Sequence, residues 1–152
     1  MTQENHNSKA IDTLNSLLRG ELSAQETYDI ALRKVSEEHA AAAQELRAIS
    51  ADHIEHARIL QSAVRALGGV PSDDSGAWGA YAKTVEGSAA LFGDNAAIKA
   101  LKEGEEHGLK EYSAAVEKDE LDANTRGVIT RQLLPNQQRH INTLDSLLAQ
   151  NL

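Results

Sequence analysis

The chain repeats itself once. Gly20-Glu21 and Tyr28 recur as Gly104-Glu105 and Tyr112, and the same offset of 84 residues joins His56 and Leu60 to His140 and Leu144 and sets Gln137 in the place of His53. Each half therefore reads Gly-Glu-x6-Tyr followed by [His/Gln]-x-x-His-x3-Leu. One offset shared by two separate segments is hard to reach by chance, and it restricts the fold to two like units of two elements each.

The elements read as helices. From about Ser8 to Val35 the apolar positions Ile11, Leu14, Leu18, Tyr28, Leu32 and Val35 recur at helical spacing behind Asn7 or Ser8 as N-cap, and residues 1–7 are taken as a flexible end. After a turn near Ser36 to Glu38, a second helix runs through Leu46, Ile49, Leu60, Ala63 and Leu67 and ends at Gly68-Gly69, with Pro71 just beyond. Residues 69–94 form a long crossover that holds a short accessory helix around Trp78, Tyr81, Val85, Ala89 and Leu91-Phe92. Asp94 caps a third helix through Ile98, Leu101, Leu109, Tyr112 and Val116. Beyond a turn at Asp119 to Asp122, a fourth runs through Ile129, Leu133, Leu144 and Leu147. Aromatics at 3%, two prolines and sparse β-branched residues suit helices and starve strands. The fold class is all-α: a four-helix bundle of two antiparallel hairpins joined by one crossover, within a single domain of residues 1–152.

Polar residues stand where the core should be. In the second helix Leu46, Ile49, His53, His56, Leu60, Ala63 and Leu67 alternate by threes and fours, so both histidines face inward. Leu14, Glu21 and Tyr28 share a stripe by sevens, and Ile98, Leu101, Glu105 and Tyr112 repeat the arrangement. Glu21 lies about as far before the first turn as His53 lies after it. Glu105 and Gln137 flank the second turn likewise, with His56 and His140 one helical turn further along. Glu21, His53, His56, Glu105, Gln137 and His140 thus approach one layer. A carboxylate stays in an apolar interior only if protonated, paired or bound to a metal, so each Glu requires a partner. Pro135 interrupts the fourth helix: it lacks an N–H and its ring meets the carbonyl of Arg131, which kinks or breaks the helix just before Gln137.

Composition narrows the chemistry. The chain has no cysteine, so disulfides, thiolate sites and Cys nucleophiles are excluded and any metal must be held by nitrogen and oxygen. A net charge of −8, spread along the chain, disfavours nucleic acid and anionic membrane as partners. Met1 to Ala10 lacks the apolar stretch of a signal peptide, and no apolar run approaches the roughly 20 residues that span a bilayer, so a cytoplasmic location is expected. No phosphate loop, nucleophile elbow or His-Glu-x-x-His supports a hydrolase or transferase.

The stretch Glu21-Leu22-Ser23-Ala24 with Tyr28 is similar to the first-helix ligand segment of bacterioferritins. Taken with the Leu67-Gly68-Gly69-x-Pro71 exit, Trp78, Gly104-Glu105, Tyr112 and the closing His140-x3-Leu144, nearly the whole chain resembles an uncharacterised bacterial ferritin-like family, a domain of unknown function related to bacterioferritins and rubrerythrins. The resemblance implies a ferritin-like bundle with metal in its core, Glu21 and Glu105 as terminal carboxylate ligands, and His56 and His140 as the imidazole ligands. The chain departs from that pattern at the two bridging carboxylates, where it has the neutral His53 and Gln137. Two divalent ions would face two formal negative charges, so one transition-metal ion, iron or zinc first, is expected in place of a di-iron centre. Asp52, Glu55, Glu103 and Glu106 stand beside these residues as hydrogen-bond acceptors or substitute ligands. His6, His39 and His107 read as solvated surface. Because ferritin-like bundles often pair, a homodimer is also expected, with Trp78 and Phe92 either covering the bundle or meeting a neighbour.

Two functions compete. One is a metal-binding ferritin-like bundle with weak iron/oxygen-type redox activity at a degenerate E…HxxH…E…QxxH site. The other is a metal-free helical scaffold or stress-associated interaction protein, whose Glu and His residues form a hydrogen-bonded network. Whether the chain is an enzyme is left open, since fold membership does not establish a reaction.

Overall fold

The computed structural model describes residues 2–35 and 37–152, the side chains of residues 37, 77, 81 and 88–92 excepted. Among the described residues there are helices and no strands. Helix α1 spans Gln3–Lys34. It starts at Gln3 and not near Ser8, because Thr2 accepts a hydrogen bond from the Asn5 N–H at 3.3 Å and Glu4 lies in the first turn, where the helix dipole favours an acid. His6 is therefore part of a helix. Part of the expected turn, at Ser36, lies outside the described residues. A 3-10 turn at Glu37–His39 leads into α2, Ala40–Ala66.

The exit from α2 follows the expected glycine pair. Gly68 and Gly69 donate backbone N–H groups to Arg65 and Val64, and Gly68 takes φ 83°, a left-handed conformation that a Cβ resists. The crossover is then pinned to α1: Ser72 N–H donates to Asn15 Oδ1 at 2.8 Å, Arg19 donates to Ser72 Oγ at 3.0 Å, and Ser23 Oγ donates to the Trp78 carbonyl at 2.7 Å. Trp78 belongs to a 3-10 turn, Gly76–Gly79, immediately ahead of the accessory helix α3, Ala80–Phe92. The expected role of Phe92 falls on an undescribed side chain. Helix α4 runs Asp94–Glu117 with Gly93, and not Asp94, as the residue before it. Asp94 instead meets His39 Nδ1 at 2.6 Å, so His39 is half-buried against α4 and not a solvated side chain.

The fourth helix of the bundle runs past Pro135 without the break that was one of the two expected outcomes. Helix α5, Ala123–Val128, is capped by Asp122, which accepts from the Thr125 N–H at 2.7 Å. It passes through one π-helical turn, Ile129–Leu133, into α6, Leu134–Ala149. In the wider turn the Leu134 N–H reaches back to the Ile129 carbonyl, so the regular ladder is already given up beside the proline that cannot donate to it.

Helix α1 pairs with α2, and α4 with α6, as two hairpins, while α3 lies across α1 and α4. Two apolar clusters fill the bundle. Leu14, Leu18, Leu60, Val64, Ile129 and Leu133 belong to one, and Leu46, Ile49, Ile98, Leu101, Leu144 and Leu147 to the other. Burying each such side chain contributes roughly 1.5–3 kcal/mol, and the two clusters bracket the polar layer between them. No helix among the described residues is long and apolar enough to cross a membrane.

Candidate metal centre

The hairpins deliver all six expected residues to one buried layer, where Glu21, His53, His56, Glu105, Gln137 and His140 are exposed by 3% or less. His53 stands at its centre. Its Nδ1 lies 2.5 Å from Glu21 Oε2 and its Nε2 lies 2.6 Å from Glu105 Oε1, so one imidazole joins the two halves of the repeat. His56 Nδ1 is 3.3 Å from Glu21 Oε1, and His140 Nδ1 is 3.3 Å from Glu105 Oε2. Gln137 donates from Nε2 to the backbone carbonyl of Glu105 at 3.1 Å and to its Oε2 at 2.6 Å. It approaches α4 closely because residue 108 is glycine: a Cβ there would lie 2.5 Å from the amide nitrogen.

The tyrosines cross between halves. Tyr28 on α1 donates to Glu105 on α4 at 2.6 Å, and Tyr112 on α4 donates to Glu21 on α1 at 2.5 Å. Reading each Tyr against the Glu of its own helix misses this exchange. The outer nitrogens of the two HxxH-type histidines are also answered from the opposite half. His140 Nε2 meets Asp52 Oδ2 at 2.8 Å, and His56 Nε2 meets Asn136 Nδ2 at 3.0 Å. Asn136 was not foreseen, although it is the repeat counterpart of Asp52, and extending the 84-residue offset by one position would have found it. Of the other neighbouring acids, Glu55 pairs with Arg58, Glu106 lies 3.7 Å from Lys102, and Glu103 is exposed. His107 is exposed, as expected, but its ring also packs edge-on against Trp78 at 4.6 Å.

Electrostatics make the layer a set of ion pairs. Burial alone would raise Glu21, but the charge and hydrogen bond of His53, with those of His56, hold its carboxyl down at about 2. Glu105 is likewise lowered against burial by His53 and His140. Burial works against protonation of His53, yet the flanking Glu105 and Glu21 outweigh it and raise the ring well above its usual value. Burial and the same carboxylates push both tyrosines up, so Tyr28 and Tyr112 remain neutral donors.

The donors form two overlapping groups. Glu21, His53 and His56 each offer one ligand atom within 4.8 Å of the others, and so do His53, Glu105 and His140. Each group is two imidazoles and a carboxylate, a nitrogen–oxygen set suited to iron or zinc. Because both groups draw on His53, and no carboxylate occupies the two bridging positions, the set does not fit a carboxylate-bridged pair of ions. The Gln137 amide turns its nitrogen to Glu105 and leaves a buried Oε1 that no hydrogen bond satisfies. A cavity of about 50 Å³, with Gly20, Ala24, Gly108 and Trp78 in its walls, reaches Glu21, His53 and Glu105 from the α1–α4 side.

Two solved structures have this fold. A ferritin-like, diiron-carboxylate protein from Bacillus anthracis str. Ames superposes with a TM-score of 0.76 at 20% identity, over 97% of this chain and 99% of that one. A dodecameric thioferritin, the bacterioferritin-related protein from Bacteroides fragilis, gives a TM-score of 0.79 at 21% identity, over 95% of this chain and 86% of that one. The likeness establishes a ferritin-like bundle, and the buried Glu and His groups fit a metal-binding member of it. No curated protein matches the sequence. Residues 9–118, from α1 to the end of α4, match a family model described as a domain of unknown function, and the chain belongs to that family, DUF2383.

Proposed function

We propose that the chain binds one divalent transition-metal ion, iron or zinc, in its buried Glu/His layer, and that the iron form has weak redox activity. The supporting observation is the pair of overlapping two-histidine, one-carboxylate groups that share His53. The ligand pool is Glu21, His53, His56, Glu105 and His140, with Gln137 Oε1 as an auxiliary donor. An iron ion held there would supply one-electron chemistry. Tyr28 and Tyr112 orient the carboxylates by donating to one oxygen of each, and the apolar clusters on either side exclude water. The test is elemental analysis of protein purified without a His tag or chelator, followed by anaerobic titration with iron, zinc, manganese, copper and nickel. Near one equivalent supports the proposal, two would restore a two-metal centre, and none would reject metal binding.

A metal-free scaffold is the second reading, and one observation favours it. The protonated His53 already supplies a cation between Glu21 and Glu105 at hydrogen-bonding distance to both. The titration separates the two readings. Self-association is a further expectation, in line with the dodecamer described for the Bacteroides fragilis relative. Sedimentation as a strict monomer at high concentration would reject it.

A further inference from the structure

We propose that the two halves of the layer are inequivalent and that the ion is held by His53 Nε2, Glu105 and His140, with Asp52, Asn136 and Arg139 as the positioning residues that select this half. This assignment rests on the metal-binding reading above.

The selection follows from one guanidinium. Arg139 donates through Nη2 to Asp52 Oδ2 at 2.7 Å and through Nη1 to Asn136 Oδ1 at 2.9 Å. The second bond fixes which way Asn136 faces: its oxygen is held by Arg139, so its NH2 group points at His56 Nε2, 3.0 Å away. An NH2 group can only donate. His56 Nε2 is therefore the acceptor, the ring carries its proton on Nδ1, and that N–H faces Glu21 Oε1 at 3.3 Å. The electron pair of His56 points out of the layer.

At the repeat-equivalent position the logic reverses. Asp52 offers only acceptor oxygens, so His140 must donate to it from Nε2 across 2.8 Å. The electron pair of the neutral His140 ring then lies on Nδ1, which faces Glu105 Oε2 at 3.3 Å. A lone pair and a carboxylate oxygen turned toward each other lack a cation between them, and His53 Nε2 reaches the same carboxylate at 2.6 Å. A ligating histidine backed by a carboxylate on its other nitrogen is how proteins fix an imidazole toward a metal. Recruiting His56 in the same way would require turning the Asn136 amide over and breaking its bond to Arg139. With the ion in the His140 half, His53 keeps its Nδ1–H on Glu21.

Titration of the full chain with Zn2+ by calorimetry and Co2+ by visible absorption tests the assignment, with thermal melts of the metal-free variants checking that each folds. The expected result is that His140→Gln loses at least about tenfold more affinity than His56→Gln, and that Asp52→Asn weakens binding about 10–100-fold. In the exchanged background Asp52→Asn/Asn136→Asp the order of the two histidines should invert, an outcome that a merely structural role for Asp52 would not produce. Long-range 15N–1H correlation on the metal-free wild type should place the His56 proton on Nδ1 and a proton on His140 Nε2. Equal losses for the two histidine variants, an unchanged order in the exchanged background, or a His56 proton on Nε2 would overturn this assignment alone. No uptake of these ions or of Fe2+ by the wild type would overturn the metal-binding reading and the assignment with it.

Discussion

Replacing Tyr112 by Phe isolates one buried hydrogen bond to a charge. The Tyr112 hydroxyl donates to Glu21 Oε1 at 2.5 Å, and both residues are exposed by 3% or less, so no solvent stands ready to replace the donor. Phe has the same shape without the hydroxyl, and the change leaves no cavity beyond one oxygen. A hydrogen bond to a charged group contributes about 1.5–3 kcal/mol. After the substitution Glu21 retains His53 at 2.5 Å and His56 at 3.3 Å. The mirror substitution, Tyr28→Phe, leaves Glu105 with two short donors, from His53 at 2.6 Å and Gln137 at 2.6 Å. Tyr112→Phe should therefore cost near the top of that range and Tyr28→Phe near the bottom. For a chain of this length about 2 kcal/mol lowers Tm by roughly 4–8 °C. The assay is thermal and urea unfolding of metal-free protein followed by circular dichroism. A loss below about 0.5 kcal/mol for Tyr112→Phe, or a larger loss for Tyr28→Phe, would refute this comparison of the remaining donors.

Three further outcomes are expected. Because the Glu21 carboxyl lies lower in the folded state than its ordinary value of 4.5, its stabilisation is present above pH 4.5 and is lost as pH falls through about 2; acid unfolding should span that window, and Glu21→Gln should flatten it. Gly108→Ala should destabilise by about 1–3 kcal/mol in urea unfolding despite the helical preference of Ala, since its Cβ would push the Gln137 amide away from Glu105. His39→Ala removes a partly exposed contact with Asp94 and should cost under about 1 kcal/mol in the same assay.

The layer was legible in the sequence because its placement depends on periodicity and on distance from a turn. Leu46, Ile49, His53, His56 and Leu60 keep one face of α2 for several turns, and equal arms about each turn bring Glu21 to His53 and Glu105 to Gln137. Partners contributed by the opposite hairpin were not legible. Spacing along a helix does not say that Tyr28 reaches Glu105 or that Asn136 reaches His56, since those contacts depend on how the hairpins face each other. The N-terminus was misplaced for a local reason: residues 3–7 are polar and carry no stripe, while the cap that starts the helix there is the single side chain of Thr2. A proline inside a helical pattern predicts a kink or a break, and the π turn beside Pro135 leaves no mark in the apolar pattern of one helix alone.

That turn changes the phase of the fourth helix. Downstream of it, His140 and Leu144 match His56 and Leu60 at 84 residues, and so does Leu133 with Ile49. Upstream, the buried partner of Leu46 is Ile129, which is 83 residues on. The second copy thus holds one residue more than the first, confined to Ile129–Leu133, and the wide turn absorbs it. One residue is about 100° of rotation on a regular helix. With the bulge absorbing it, Ile129 stands to His140 as Leu46 stands to His56, although eleven residues separate the first pair and ten the second.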